Sequence, residues 1–213
     1  MIQIESYKDI PGWMNDAEYI YEEIVKEAQD GDIVAEIGTL LGQSSCRMAS
    51  LIKESSKDIK FYSIDLFWMI EQTFKNISET DHSQSFLDYI NHLKELAPGI
   101  SIMDIVKHGS FHLELDDYVE YVTCDEKYAH RLFDNDSVKF LWIDGDHTGT
   151  TVYDDLVNNW PKIKTNGVIA GDDYSYSDVE ESVKRFIEER SDISEIRLHK
   201  DYHKNYFFLR KKH

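Results

Sequence analysis

Short runs of apolar and β-branched residues recur along this chain, and amphipathic stretches separate them. Runs of this length predict buried strands, while apolar residues at helical spacing predict helices between them. The predicted strands are 33–37, 61–64, 100–106, 138–143 and 167–170, followed by two closing strands around Ile196 and at 206–209. The predicted helices begin at Asn15 or Asp16 and end near 29, then cover 44–53, 86–96, 118–134, 151–160 and 179–189, with loop over most of 66–82. This alternation favours an α/β fold whose mostly parallel sheet is covered on both faces.

Charge and composition exclude several classes of protein. The 213 residues are 41% hydrophobic, which excludes a disordered chain, and they carry 41 acidic against 23 basic side chains, a net charge of −18. A field of that sign repels phosphate backbones, so we expect no nucleic-acid partner. No run approaches ~20 apolar residues and no signal peptide is recognisable, so we expect no membrane partner. Two cysteines without metal spacing, Cys46 and Cys124, favour a reducing, cytoplasmic setting.

Polar residues follow the predicted strands at the points where ligands bind in parallel α/β sheets, outside the carboxyl ends of the strands. These residues are Glu36, Asp65, Ser110, Asp144, Asp172 and Asp173. Most of them are acidic, and they come from five different strands.

The segment EIGTLLGQSSCR joins the first strand to the next helix. Gly38 and Gly42 permit a tight turn that a ligand can approach closely, and the helix N-terminus suits a ligand carboxylate. Leu40 and Ser45 stand where a dinucleotide fingerprint requires glycine, which argues against NAD or FAD. The alternative is a strand-to-helix turn that binds no ligand.

Two further strand ends carry weaker signals. A carboxylate at Asp65 can accept hydrogen bonds from both hydroxyls of a ribose, or it can cap a helix. Ser110 can bond a purine edge, or it can cap the following helix.

The densest acidic cluster consists of Asp144, Asp172 and Asp173, which end neighbouring predicted strands. Carboxylates brought together raise each other's pKa unless a cation neutralises them. Oxygen ligands of this kind suit Mg²⁺, Mn²⁺ or Ca²⁺. The alternative is a set of solvated loop aspartates.

His147 lies three residues after Asp144, close enough to face a bound hydroxyl. An imidazole can accept a proton at pH 7 without special tuning, so His147 is a candidate base. The alternative is a histidine at the entry to a helix.

These motifs resemble a known family. EIGTLLGQSSCRMASLI is similar to the first cofactor motif of catechol O-methyltransferase, and FLWIDGDHTGTTVYDDL with PKIKTNGVIAGDDY is similar to the macrocin-type sugar O-methyltransferases. Over residues 13–174 the chain resembles the class I, metal-dependent, small-molecule O-methyltransferases that use S-adenosylmethionine. The resemblance implies a Rossmann-like, seven-stranded, mostly parallel sheet in one domain over 1–213. It also implies an N-terminal helical cap over 1–30 and a variable substrate-side segment over 66–99.

The resemblance also implies roles for individual residues. The methionine part of the cofactor would be held by Glu36, Gly38, Thr39, Gly42 and Ser44. Asp65 would bind the ribose, and Ser110 would lie near the adenine.

In the same family, the acidic residues hold a metal. Asp144, Asp172 and Asp173 would bind Mg²⁺ (or Mn²⁺ or Ca²⁺), and Asp144 and His147 would be the catalytic residues. Because His147 stands where catechol enzymes carry a lysine, a catechol substrate is disfavoured. The leading hypothesis is methyl transfer to a hydroxyl of a small molecule, such as a sugar-bearing metabolite, by a homo-oligomer. The alternatives are a metal-assisted hydrolase, a non-catalytic cofactor-binding scaffold and, as the weakest, an oxidoreductase.

Overall fold

The structure, a computed structural model, describes residues 3–14, 18–67, 81–201 and 204–213. In these ranges the helices are α1 (Glu18–Glu27), α2 (Gln43–Ser55), α3 (Asp81–Leu96), α4 (Ile102–His112), α5 (Glu126–Ala129), α6 (Thr151–Asn159) and α7 (Ser177–Glu188). The strands are β1 (Ile33–Ile37), β2 (Lys60–Asp65), β3 (Glu120–Thr123), β4 (Val138–Ile143), β5 (Ile163–Asp172), β6 (Ile193–Asp201) and β7 (Lys204–Lys211). The predicted helix starts at Asn15 or Asp16, and most of the predicted loop over 66–82, lie outside the described residues.

The seven strands form one sheet in the order β3-β2-β1-β4-β5-β7-β6. The first five are parallel, and β7 runs antiparallel to both of its neighbours. The predicted seven-stranded, mostly parallel α/β fold is therefore confirmed. The chain order reverses between β1 and β4, and the crevice at the carboxyl ends of these two strands is where such sheets bind ligands.

Strand β4 shows how the sheet is held between two layers of helices. All six of its residues are buried. Phe140 and Trp142 pack with helices α1 to α4 on one face, while Leu141 and Ile143 pack with α6 and α7 on the other. Successive side chains of a strand point to opposite faces, so a strand covered on both sides is apolar throughout.

The third predicted strand, 100–106, is wrong, because helix α4 begins there. Ser101 caps the helix: its hydroxyl accepts the backbone N–H of Asp104 at 3.1 Å, and the Asp104 carboxylate accepts a hydrogen bond in return. Such a reciprocal cap satisfies N–H groups that the first turn of a helix leaves free. The apolar run that resembled a strand is the buried stripe of this helix.

The predicted helix over 118–134 is largely wrong as well. The third strand, β3, lies within it, and only the four-residue α5 and a short 3-10 turn after it are helical. Both end residues of β3 are exposed and the two between them are half-buried, because the strand forms an edge of the sheet. A short edge strand buries too little apolar surface to show a clear sequence pattern.

Candidate active site

A cavity of about 570 Å³ opens at the carboxyl ends of β1, β4 and β5. Its walls are the turn between β1 and α2, the ends of β4 and β5, and the segment that precedes α1. The residues that line it include Pro11, Gly12, Trp13, Met14, Gly38, Thr39, Gln43, Ser44, Trp142, Asp144, His147, Asp172, Asp173 and Tyr176. The cavity thus lies in the crevice at which the strand order reverses.

The glycine turn packs directly on the end of β4. Gly38 has φ +93°, and a Cβ there would lie 1.9 Å from the backbone oxygen of Asp144. Gly42 has φ +87° and precedes the first turn of α2. Only glycine adopts these angles without strain, so the turn brings free N–H groups and the Ser44 side chain to the cavity wall.

Glu36 lies one layer beneath that wall. It is buried, and its carboxylate accepts hydrogen bonds from the hydroxyls of Ser45, of Ser63 at 2.9 Å and of Tyr21 at 3.4 Å. Burial raises its pKa to about 7, against the opposing effect of hydrogen bonds from Ser45, Ser63, Ser44 and Tyr21. When Glu36 is ionised, its charge raises the pKa of Asp144 in the cavity wall.

Asp65 ends β2, as predicted, and it braces the glycine turn from behind. Its Oδ2 accepts the backbone N–H of Thr39 at 2.9 Å, and its Oδ1 accepts that of Phe67 at 2.9 Å. Asp65 is not among the residues that line the cavity. A ribose would have to share this carboxylate with the turn.

Ser110 does not follow a strand, which corrects the prediction. It is buried in α4, and its hydroxyl donates to Lys107 O at 3.0 Å and to Asp116 Oδ1 at 2.9 Å. The residues that do follow the third strand begin at Cys124, whose N–H donates to Asp65 O at 3.0 Å. The end of β3 therefore lies beside Asp65, in the place that the sequence assigned to Ser110.

Asp144, Asp172 and Asp173 all line the cavity. Ile143 pairs with Gly171, so Asp144 and Asp172 leave the sheet side by side. Desolvation by the surrounding protein, followed by the charges of Asp172, Asp173 and Glu36, raises the pKa of Asp144 well above its ordinary value, although the residue is exposed to solvent in the cavity. Burial also raises the pKa of Asp173, and His147 opposes that shift. Within the described ranges, however, no three His, Cys, Asp or Glu side chains are grouped as the ligands of a metal ion.

His147 stands at the mouth of this cluster. Its Nδ1 lies 3.6 Å from Asp173 Oδ2. Its ring stacks on Tyr176, with the ring centres 4.9 Å apart and the planes 19° from parallel. An imidazole between a carboxylate and an aromatic ring is held in place and can exchange a proton with a bound molecule.

Three residues of the site were missed from the sequence. Tyr21 of α1 reaches Glu36, Gln43 opens α2 at the cavity wall, and Tyr176 stacks on His147. Tyr21 belongs to no motif, whereas Gln43 lies within the EIGTLLGQSSCR segment, between the predicted cofactor-binding residues Gly42 and Ser44. Tyr176 follows the Asp172–Asp173 pair closely, and that spacing was the available signal.

None of the helices in the described part of the chain is both long and apolar enough to cross a membrane.

Many solved structures are similar to this chain in fold. NovP, described as an O-methyltransferase, is 18% identical with a TM-score of 0.64, covering 92% of this chain and 79% of its own. A putative rRNA methylase from Clostridium thermocellum is 14% identical with a TM-score of 0.62, covering 95% and 98%.

A SAM-dependent O-methyltransferase from Thermotoga maritima is 14% identical with a TM-score of 0.60; the alignment covers 94% of this chain but only 66% of that enzyme. At these identities the likeness shows the fold alone.

No curated protein matches the sequence. The model of a methyltransferase domain family matches residues 35–174, about two thirds of the chain, from the middle of β1 to just beyond Asp173. The chain therefore belongs to this methyltransferase domain family and has the class I fold that uses S-adenosylmethionine as its methyl donor.

Proposed function

We propose that this chain transfers the methyl group of S-adenosylmethionine to a hydroxyl oxygen of a small molecule. The observation that carries the proposal is the meeting of Asp144, Asp172 and Asp173 in one cavity, with His147 beside them. Desolvation, followed by the charges of Asp172 and Asp173, raises the pKa of Asp144, and a cation such as the sulfonium group of the donor offsets both effects. The donor's carboxylate is suited to the free N–H groups where α2 begins, after Gly42.

The acidic residues also have the chemistry of a divalent-metal site. Three carboxylates with room for solvent fit Mg²⁺, Mn²⁺ or Ca²⁺ better than a closed zinc site. Asp144, Asp172 and Asp173 would hold the ion after side-chain adjustment, since they are not grouped as ligands at present. A bound ion supplies positive charge that stabilises the oxyanion developing on the acceptor.

His147 is the proposed base. The acceptor hydroxyl gives its proton to Nε2 of His147, while Asp173 faces the other ring nitrogen, Nδ1. The acceptor oxygen then forms a bond to the methyl carbon. The carbon–sulfur bond breaks with its electron pair on sulfur, which leaves neutral S-adenosylhomocysteine. The protein's part is to position the reactants and to stabilise charge.

The net charge of −18 favours a small acceptor over RNA, although two neighbours in fold are described as rRNA methylases. Cys46 and Cys124 are both free thiols, which supports our proposal of a cytoplasmic protein. We propose a homo-oligomer as well, on the family resemblance alone.

The test supplies methyl-labelled S-adenosylmethionine, MgCl₂ and a panel of polyhydroxylated small molecules, with an rRNA transcript in parallel. We expect label in an O-methyl product, none in the RNA, and loss of turnover with EDTA or in Asp172→Asn. Asp117→Asn, which removes an exposed carboxylate outside the cavity, should match the wild type. Label in RNA, or full turnover in EDTA, would contradict the acceptor or the metal assignment respectively.

The two remaining candidates give different results in the same assay. A hydrolase would show no affinity for S-adenosylhomocysteine. A non-catalytic scaffold would bind it without transferring label to any compound.

A further inference from the structure

A short segment before α1 forms one wall of the cavity. We call residues 10–14 the N-terminal strap. Four of its residues, Pro11, Gly12, Trp13 and Met14, line the cavity together with Asp144. The glycine turn and the start of α2 line the same cavity, so the strap crosses the end at which we placed the methionine part of the donor.

One side chain, that of Gln43, holds the strap at two points. Its Nε2 donates to the backbone oxygen of Ile10 at 2.7 Å. Its Oε1 accepts the backbone N–H of Met14 at 3.0 Å. An amide is suited to this double contact because it carries a donor and an acceptor on one carbon. Gln43 is also the first residue of α2, so the strap is tied to the helix N-terminus beside the glycine turn.

Gly12 allows the strap to pack this closely against the side chain of Gln43. A Cβ at position 12 would lie 2.6 Å from both Cβ and Oε1 of Gln43. No real side chain fits at that distance, and the backbone of Gly12 has no positive φ that would otherwise require glycine. The glycine is therefore explained by contact with the Gln43 side chain.

Both ends of the strap are anchored in the fold. Ile10 is fully buried and packs against Gly109 of α4, where a Cβ would lie 2.5 Å from Ile10 Cδ1. Trp13 packs on Phe86 of α3, with ring centres 4.8 Å apart. Packing at Ile10 and Trp13 thus fixes the strap, and the amide of Gln43 bonds to its first and last residues.

We propose that Gln43 is a positioning residue that holds the strap closed over the methionine end of the bound donor. This rests on the proposed function, since it takes the donor to occupy the cavity. A wall fixed before binding lowers the ordering cost of binding, because the strap has no conformational freedom left to lose. Removal of the amide should leave the fold intact and weaken donor binding.

The test measures binding of S-adenosylhomocysteine by calorimetry and amide hydrogen exchange at Met14. In Gln43→Ala we expect ~10-fold weaker binding, which corresponds to the net free energy of about one hydrogen bond. We also expect faster exchange at Met14 with an unchanged melting temperature. Gln43→Glu keeps an acceptor for Met14 but sets a carboxylate oxygen against Ile10 O and adds negative charge where α2 begins, so it should bind no more tightly than Gln43→Ala.

Gln84→Ala is the matched control, since Gln84 is an exposed glutamine of α3 whose side chain donates a hydrogen bond to Asp88 of the same helix. It should bind as the wild type does. If Gln43→Ala bound as tightly as the wild type, or if exchange at Met14 did not change, the positioning role would be wrong while the proposed function stood. If the wild type did not bind S-adenosylhomocysteine at all, both would fail.

Discussion

Nδ1 of His147 lies 3.6 Å from Oδ2 of Asp173, a residue that lies in the turn after β5 with φ +58°. The distance is too long for a strong hydrogen bond but short enough for the carboxylate to attract a protonated ring. The same turn carries Tyr176, whose ring stacks on the imidazole. One turn therefore fixes both the edge and the face of the candidate base.

Replacing His147 with alanine should lower the rate of methyl transfer by ~10²–10⁴, the usual contribution of a general base. Binding of S-adenosylhomocysteine should not change, because His147 is assigned to the acceptor. The measurement is the turnover rate beside a calorimetric titration. His112→Ala, which changes an exposed histidine of α4, should be silent; a His147→Ala enzyme of full activity would remove the base assignment.

Asp144→Asn should abolish turnover and yet stabilise the free protein at pH 8. Desolvation, followed by the charges of Asp172 and Asp173, raises the pKa of the Asp144 carboxyl, although this residue is exposed in the cavity wall. Above its unfolded pKa the folded state must therefore either keep a proton or bear an unpaired charge. An amide of the same size removes that cost. Thermal melts at pH 8 measure the change in stability, and a turnover assay measures activity. A lower melting temperature would contradict the stability prediction, and an active variant would contradict the catalytic role.

Asp155 gives a pH dependence that is separate from the active site. It is buried in α6 with its Oδ2 unpartnered, and burial, followed by the charge of Glu126, raises its pKa from 3.8 to about 8. A raised carboxyl pKa makes stability fall as pH increases from the unfolded to the folded value, here from about 4 to about 8. We expect Asp155→Asn to be more stable than the wild type by ~2 kcal/mol at pH 9 and to differ little at pH 4.

Urea unfolding at the two pH values measures this difference. Asp117→Asn removes the same charge from an exposed position that is not among the groups raising the pKa of Asp155, and it should show no such trend. Equal stability of the wild type and Asp155→Asn at pH 9 would show that the buried carboxyl of Asp155 does not destabilise the folded protein.

Substitutions at Gly31 and Gly38 can distinguish the cost of backbone strain from the cost of a steric clash. Gly31 and Gly38 have similar φ angles, +85° and +93°, but a Cβ at Gly31 would meet nothing within 4 Å, while one at Gly38 would strike Asp144 O. Gly31→Ala should cost ~1 kcal/mol for the φ angle alone. Gly38→Ala should cost at least ~2 kcal/mol more and should weaken binding of S-adenosylhomocysteine. Equal losses in chemical denaturation would show that the turn does not press on β4.

Much of the fold could be predicted because β1, β4 and β5 are buried on both faces and therefore read as apolar runs. The third strand could not, because β3 is an edge strand with little burial, while α4 carries the more strand-like residues. The reciprocal cap between Ser101 and Asp104 was the signal that separates the two.

The strand-end residues of the site followed from topology, since β4 and β5 are neighbours and their next residues, Asp144 and Asp172, must emerge together. The predicted position of Ser110 was wrong because it depended on the predicted strand 100–106, where the structure has helix α4. Tyr21 and Gln43 reach the site from α1 and α2 through contacts far apart in sequence, and no local pattern marks such contacts.

The most direct measurement is a crystal structure of the wild-type protein with S-adenosylhomocysteine and MgCl₂. We expect the ligand's carboxylate at the start of α2, its ribose beside Asp65, its sulfur facing His147, and a metal ion among Asp144, Asp172 and Asp173. Ligand density outside this crevice, or an ion held elsewhere while the three carboxylates point to bulk water, would contradict the proposal.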